Sequence, residues 1–200
     1  MSIVSADISM SLDGYVTGPD PNLENGLGIG GEAIQQWVFD SHDSPADRQI
    51  LENPGRPPGA VIMGRRTFDF VDGSHGWDDA TDYAYDDTKT AQPPVFVVTH
   101  SVPEQTRHTK GFTFVTGGIL AAVNAARREA GDQETVIMGG ADVIAQSLAA
   151  GLVDELRIHL SPVLMGSGTR LFDRIDERLL LTQTDAVATP NATHLMYGVR

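Results

Sequence analysis

The sequence predicts one α/β domain built on a largely parallel sheet with an antiparallel C-terminal edge. Three observations carry that prediction. Strand-like and helix-like patterns alternate along the chain, the signature of strand–helix–strand units. The stretch VATPNATHLMYGVR (187–200) reads as two short strands around Pro190-Asn191. At 200 residues and 40% hydrophobic content the chain can bury one sizeable core, and it shows no internal repeat, low-complexity tract or linker, so residues 1–200 are read as a single domain.

Each element follows from local pattern. Residues 3–12 alternate, with Ala6, Ile8, Met10 and Leu12 on one face, as in a strand. DGYVTGPDPNLENGLGIGG (13–31) is turn chemistry throughout and reads as a long loop, able to serve as a lid over a site. Residues 32–41 suit a short helix, with Ile34, Trp37 and Val38 at helical spacing. GAVIMG (59–64) is a buried-strand pattern running into RRTFDFV, and PPVFVVT (93–99) is another. FTFV (112–115) precedes a helix whose inner face is Ile119, Ala122, Val123 and Ala126. ETVIM (134–138) leads into a helix over 141–150, stopped by Gly151. ELRIHLSPVL (155–164) alternates, with Leu156, Ile158 and Leu160 on one side.

Composition removes several functions. A formal charge of −13 repels phosphate polyanions, so neither nucleic acid nor an anionic membrane is an expected partner. With no cysteine, there is no disulfide, thiolate metal site or cysteine nucleophile. MSIVSADISMSLDGYV has no basic region followed by a continuous apolar run, and no segment has the roughly 18 apolar residues that span a bilayer. A cytoplasmic protein is expected. The six histidines form no HExxH, MGSGT is not a nucleophile elbow, and the acidic stretch from Asp72 to Asp87 lacks calcium-loop spacing. It reads as a solvated loop, and no metal is expected.

Several strand ends are candidates for binding an anion. In VIMGRRTF a strand ends at Gly64, and Arg65, Arg66 and Thr67 fall where a helix begins, so free N–H groups, the helix dipole and a guanidinium converge. The same segment also reads as a capped helix with two solvated arginines, and spacing leaves both open. VVTHS ends another strand with Thr99, His100 and Ser101, where α/β sheets often place a ligand crevice. Two strand–Gly-Gly–helix junctions occur, at Gly117-Gly118 and at Gly139-Gly140. Either pair alone is ordinary turn chemistry; the second follows a stronger apolar run and precedes a better-formed helix. Gly26, Gly28 and Gly31 match G-x-G-x-x-G formally, but no strand precedes them, which a dinucleotide fingerprint requires.

Taken in order, SLDGYVTGPD, VIMGRRTF, PVFVVTHS and VIMGGADVIAQSLAAGLVDELRIHLSPVLMGSGTRLF resemble the dihydrofolate-reductase-like superfamily. The branch most similar contains the reductase domain of riboflavin biosynthesis, and the likeness runs from about residue 3 to 173. The resemblance implies NADPH bound across the carboxyl ends of the strands. It places Gly64, Arg65, Arg66 and Thr67 on the cofactor-phosphate segment, and Thr99, His100 and Ser101 near the adenosine and its 2′-phosphate. Gly139 and Gly140, joined by a cis bond in many relatives, approach the pyrophosphate and nicotinamide. Ala141, Asp142, Val143 and Ile144 open the helix facing the phosphates, and Gly118 joins the cofactor set. Asp13 and Gly14 match the branch's Asp-Gly near substrate and nicotinamide, with Asp13 the catalytic candidate; Trp37 and Asp40 are further substrate candidates.

The implied activity is NADPH-dependent reduction of a small heteroaromatic molecule, of the riboflavin-pathway pyrimidine type or an orphan variant. Dihydrofolate reduction and a non-catalytic nucleotide-binding role are the alternatives. The resemblance also implies a homodimer, for which THLMYGV would suit as a contact.

Overall fold

The computed structural model describes residues 2–52, 56–73, 76, 93–108 and 110–200. Among these, eight strands form one sheet: β1 (Val4–Ser11), β2 (Pro58–Gly64), β3 (Val95–Val98), β4 (Phe112–Val115), β5 (Glu134–Gly139), β6 (Glu155–Ser161), β7 (Leu181–Ala188) and β8 (Thr193–Val199). Their spatial order is β4-β3-β2-β5-β1-β6-β8-β7. The first six are mutually parallel, and β8 and β7 close the sheet as an antiparallel hairpin. A single α/β domain with an antiparallel edge is therefore the observed architecture.

Five α-helices of the described residues accompany the strands: α1 (Gln36–Phe39), α2 (Pro45–Glu52), α3 (Arg65–Asp72), α4 (Gly118–Ala130) and α5 (Ala141–Ala149). On one face, α4 and α5 bury Ala122, Val123, Ala126, Ile144 and Leu148 against Val4, Ala6, Ile62, Ile137 and Leu156. This is the apolar face that the alternation of β1 and β6 predicts. On the other face, α3 sets Phe68 on Val61, Met63, Val95 and Val97, with Phe112 and Phe114 in edge-to-face contact at 5.1 and 4.9 Å. Phe68 is 1% exposed, and truncating such a ring costs about 3–5 kcal/mol.

The rest of that second face is polar. Asp7, Ser9 and Ser11 of β1 lie in register with Arg157, His159 and Ser161 of β6, and His194 of β8 lies opposite His159. The segment from Gly31 to Glu52 docks here. Periodicity predicts a helix over 32–41, but the segment is a 3-10 turn (Gly31–Gln35), the short α1 and a second 3-10 turn (Asp40–Asp43). The sheet draws on its polar groups: Ser161 Oγ donates to the Ile34 carbonyl at 2.6 Å and Ser9 Oγ to Gln35 at 3.1 Å. Sequence pattern gives no element over 45–52, where α2 stands. Ser44 caps it through a 3.3 Å bond from the Asp47 N–H, with Pro45 at the first helical position.

The 13–31 segment is a loop as expected, closed on itself by Gly18 N–H to Leu27 O and Ile29 N–H to Pro19 O. Leu12 is 62% exposed and lies beyond β1, so the apolar face runs from Val4 to Met10 instead. The predicted acidic loop lies outside the described residues apart from its start. There Asp72 accepts the Arg107 and His108 backbone N–H groups at 3.0 and 2.7 Å.

Candidate functional site

Six parallel strands put their carboxyl ends on one edge of the sheet, and the predicted binding segments stand along that edge. The order matters more than the list. Because β5 inserts between β2 and β1, its glycines arrive beside the end of β2, with Gly139 in register with Met63. A Cβ on Gly64 would sit 3.0 Å from Val143 Cγ2 and 3.6 Å from the Gly140 nitrogen. A Cβ on Gly140 would lie 3.5 Å from Thr67 Oγ1. Gly139 has φ +143°, a conformation that L side chains rarely adopt. The peptide bond between Gly139 and Gly140 is cis.

Three helices of the described residues start on this edge, each after a glycine: α3 after Gly64, α4 after Gly117 and α5 after Gly140. No side chain caps any of them. A helix start without a side-chain cap leaves its N–H donors to an anion, and the dipole adds to the attraction. Arg65 ties two strand ends together: Nε donates to Asp69 at 2.6 Å and Nη1 to the Ser101 carbonyl at 3.1 Å. Thr99 Oγ1 donates to the same carbonyl at 2.8 Å. Arg66 is exposed at the mouth of α3, as are His100 and Ser101 beyond β3.

In α5, Val143 and Ile144 point into the core, 6% and 0% exposed, so they face a ligand through backbone alone. Ala141 is also buried, and Asp142 is paired with Arg174 at 3.0 Å. Gly118 stands beside the outer strand β4 with φ +80°, and a Cβ there would meet nothing within 4 Å.

Asp13 sits just past the end of β1. Its carboxylate accepts from Ser11 Oγ at 2.6 Å and from the backbone N–H groups of Met165 and Gly166 at 3.0 and 2.7 Å. The Ser11 hydroxyl, with those two amides, brings its pKa down to about 2. Asp13 is thus an anion at neutral pH that holds the 163–171 loop against β1. Gly14 follows with φ +91°, 3.6 Å (from its Cβ position) to an Arg170 guanidinium that lies 4.5 Å over the Tyr15 ring.

Trp37 lies on the second face of the sheet, against residues two positions before the carboxyl ends of β1 and β6. It is 3% exposed, donates Nε1–H to Ser9 Oγ at 2.8 Å, and sets its ring 4.5 and 4.9 Å from His159 and His194. The Asp40 carboxylate accepts from Gln36 Nε2 one turn earlier, at 3.0 Å.

Sequence reasoning missed the polar residues beneath Trp37. His159 Nε2 donates to Asp7 at 2.9 Å, the Nδ1 atoms of His159 and His194 are 2.8 Å apart, and His194 Nε2 donates to Asp47 at 2.8 Å. Beside this chain Arg157 bonds Glu134 and Glu155, each at 2.6 Å, and lies 3.6 Å from Asp7. The available signal was the run of alternating polar residues Ser5, Asp7, Ser9 and Ser11 in a parallel strand, since such strands are covered on both faces.

Comparison with known proteins fits this architecture. A family model described as the RibD C-terminal domain matches residues 2–195. The chain belongs to that family. The uncharacterized protein YyaP of Bacillus subtilis (strain 168) is 35% identical over 68 residues. That match covers 34% of this chain and 36% of YyaP. A solved structure assigned to riboflavin biosynthesis from Shewanella sp. PV-4 superposes with a TM-score of 0.68 at 22% identity, covering 100% of this chain and 99% of that one. A diaminohydroxyphosphoribosylaminopyrimidine deaminase/5-amino-6-(5-phosphoribosylamino)uracil reductase from Thermotoga maritima superposes at 0.57 and 13% identity. It is matched over 100% of this chain, which spans 57% of that protein. At these identities the likeness establishes a shared fold. Among the described residues no helix is long and apolar enough to cross a membrane, and no cluster of three or more His, Asp or Glu could hold a metal ion.

Proposed function

We propose that this chain is an NADPH-dependent reductase of a small heteroaromatic substrate, with 5-amino-6-(5-phosphoribosylamino)uracil the first compound to test. The observation that carries the reading is the edge itself. Uncapped, glycine-preceded helix starts after β2 and β5 adjoin, with an exposed Arg66 beside them. A bare backbone there fits a pyrophosphate, because a methyl on Gly140 would occupy space next to Thr67. In an acidic chain, local N–H groups and one guanidinium are what an anionic cofactor requires.

In this reading Gly64, Thr67, Gly139 and Gly140 lie along the pyrophosphate, and Ala141 to Ile144 offer the helix start. Arg66, with Thr99, His100 and Ser101, receives the adenosine end and its 2′-phosphate; Arg65 positions the Ser101 turn. The cofactor, when bound, supplies a hydride. Asp13 and Gly14 shape the substrate side. With a pKa of about 2, Asp13 is a positioning residue for the 163–171 loop and not the proton donor. The protein is proposed to act in the cytoplasm as a homodimer; β7, exposed along nearly its whole length, is the open edge for such pairing.

Titrating NADPH by fluorescence tests the reading, with saturation expected below millimolar cofactor. Loss of NADPH absorbance with the pyrimidine, and not with dihydrofolate, identifies the substrate class. Turnover of dihydrofolate instead would redirect it, and binding without turnover of either would leave a nucleotide-binding protein. Light scattering reads the dimer.

A further inference from the structure

The polar chain under Trp37 joins four titratable groups from four elements: Asp7 on β1, His159 on β6, His194 on β8 and Asp47 on α2. All are largely removed from water. The side chains of Asp47 and His194 are 0% exposed, His159 is 6% and Asp7 is 31%. Proton counting is decisive here. Three hydrogen bonds link the four groups, and each needs one proton. Two carboxylates and two neutral imidazoles supply two. If both rings donate from Nε2 to their carboxylates, both Nδ1 atoms carry lone pairs that would face each other at 2.8 Å.

We propose that Asp7, His159, His194 and Asp47 hold one shared extra proton, and that this proton latches α2, residues 45–52, onto the sheet. The proton closes the Nδ1–Nδ1 bond and leaves the four groups with a net charge of −1. Its place within the chain follows from the surroundings. Burial lowers the His194 pKa, and the nearby His159 adds to that, outweighing Asp47. For Asp47, burial raises the pKa, but bonds from His194, Thr189, Ser44 and Asn191 outweigh it and keep the carboxyl below its usual range. For Asp7, burial again raises it, and His159 and Arg157 together outweigh that. Two carboxylates and a disfavoured charge on His194 leave one proton to bridge the two Nδ1 atoms at 2.8 Å. The other charged groups nearby are Arg157, Glu134, Glu155 and Arg56, which are paired among themselves and with Asp7.

The latch is mechanical because α2 meets the sheet through it. Asp47 is held by His194 and by Asn191 Nδ2, each at 2.8 Å. Trp37 lies over both imidazoles. A second proton, placed on His194, would set two N–H groups against each other and release the segment. The sign agrees: with a lowered folded pKa, His194 gains its proton first in the open form. The contribution of a neutral His194 is therefore complete above the ordinary imidazole value of 6.5 and falls as pH drops below it. None of this depends on the cofactor reading.

Nitrogen-15 NMR of the histidine rings in the full-length protein at pH 7 is the direct test. One buried ring protonated at both nitrogens, bonded to one neutral ring with a bare Nδ1, is expected. Two neutral rings, or two cationic ones, would overturn the proposal. Amide hydrogen exchange gives a second readout on the unmodified protein. Protection of residues 45–52 relative to α5 should fall at least ~10-fold between pH 7 and pH 5, as a local opening, and His194→Gln should flatten that dependence. An unchanged ratio in the unmodified protein, or the same pH dependence in His194→Gln, would also overturn it.

Discussion

Thr116-Gly117-Gly118 and Met138-Gly139-Gly140 are the same local device, a strand passing through two glycines into a helix, but they stand in different places. The first ends β4, one of the two edge strands, where a Cβ on Gly118 meets nothing within 4 Å. The second ends β5, between β2 and β1, against Gly64, Thr67, Ile8 and Val143. At the outer junction glycine serves the chain's own turn, through φ +80° at Gly118. At the inner one the absent side chains leave backbone open beside a second helix start and an arginine. A glycine pair acquires binding value from what the sheet order puts next to it.

The largest effect should come from Gly139→Val. At φ +143° a branched residue costs about 1–3 kcal/mol of stability, and NADPH affinity should fall about 100-fold, or near 2.7 kcal/mol. Thermal unfolding and fluorescence titration read the two parts. Gly140→Ala separates them, because Gly140 has an ordinary φ of −86° and a methyl would touch only Thr67. Stability should move by at most about 1 kcal/mol, while NADPH binds about tenfold more weakly. Gly117→Ala, at φ −84°, should leave affinity unchanged; equal losses for the two alanines would erase the distinction between the junctions. Arg66→Ala should weaken NADPH about tenfold and NADH hardly at all, since its guanidinium is assigned to the 2′-phosphate. The smallest change is Gly118→Ala: about 1 kcal/mol of stability for the left-handed φ, with affinity for NADPH within about twofold of the parent protein.

Much of the edge was legible residue by residue. Gly64 before Arg65-Arg66-Thr67, Thr99 after an apolar run, and the Gly139-Gly140 junction are all strand ends, and a parallel sheet brings strand ends together. The polar seam of Asp7, His159, His194 and Asp47 was not. Alternation in β1 marks Ala6, Ile8 and Met10 as inward and assigns the residues between them to solvent. That inference holds only where one face is wet. Here residues 31–52 cover the second face, and they do so with short 3-10 and α turns that carry no sustained helical period.

The sequence alone determined the alternation of strands and helices, the closing hairpin around Pro190-Asn191, and the glycine and arginine chemistry at each strand end. These are local matters: side-chain period, turn preference and backbone freedom are set within a few residues. Only the tertiary structure decided that β5 lies between β2 and β1, and that His159 and His194 meet at 2.8 Å. Strand order depends on which faces can be buried together across the whole chain, and hydrogen bonds between residues far apart in sequence exist only once that order is set.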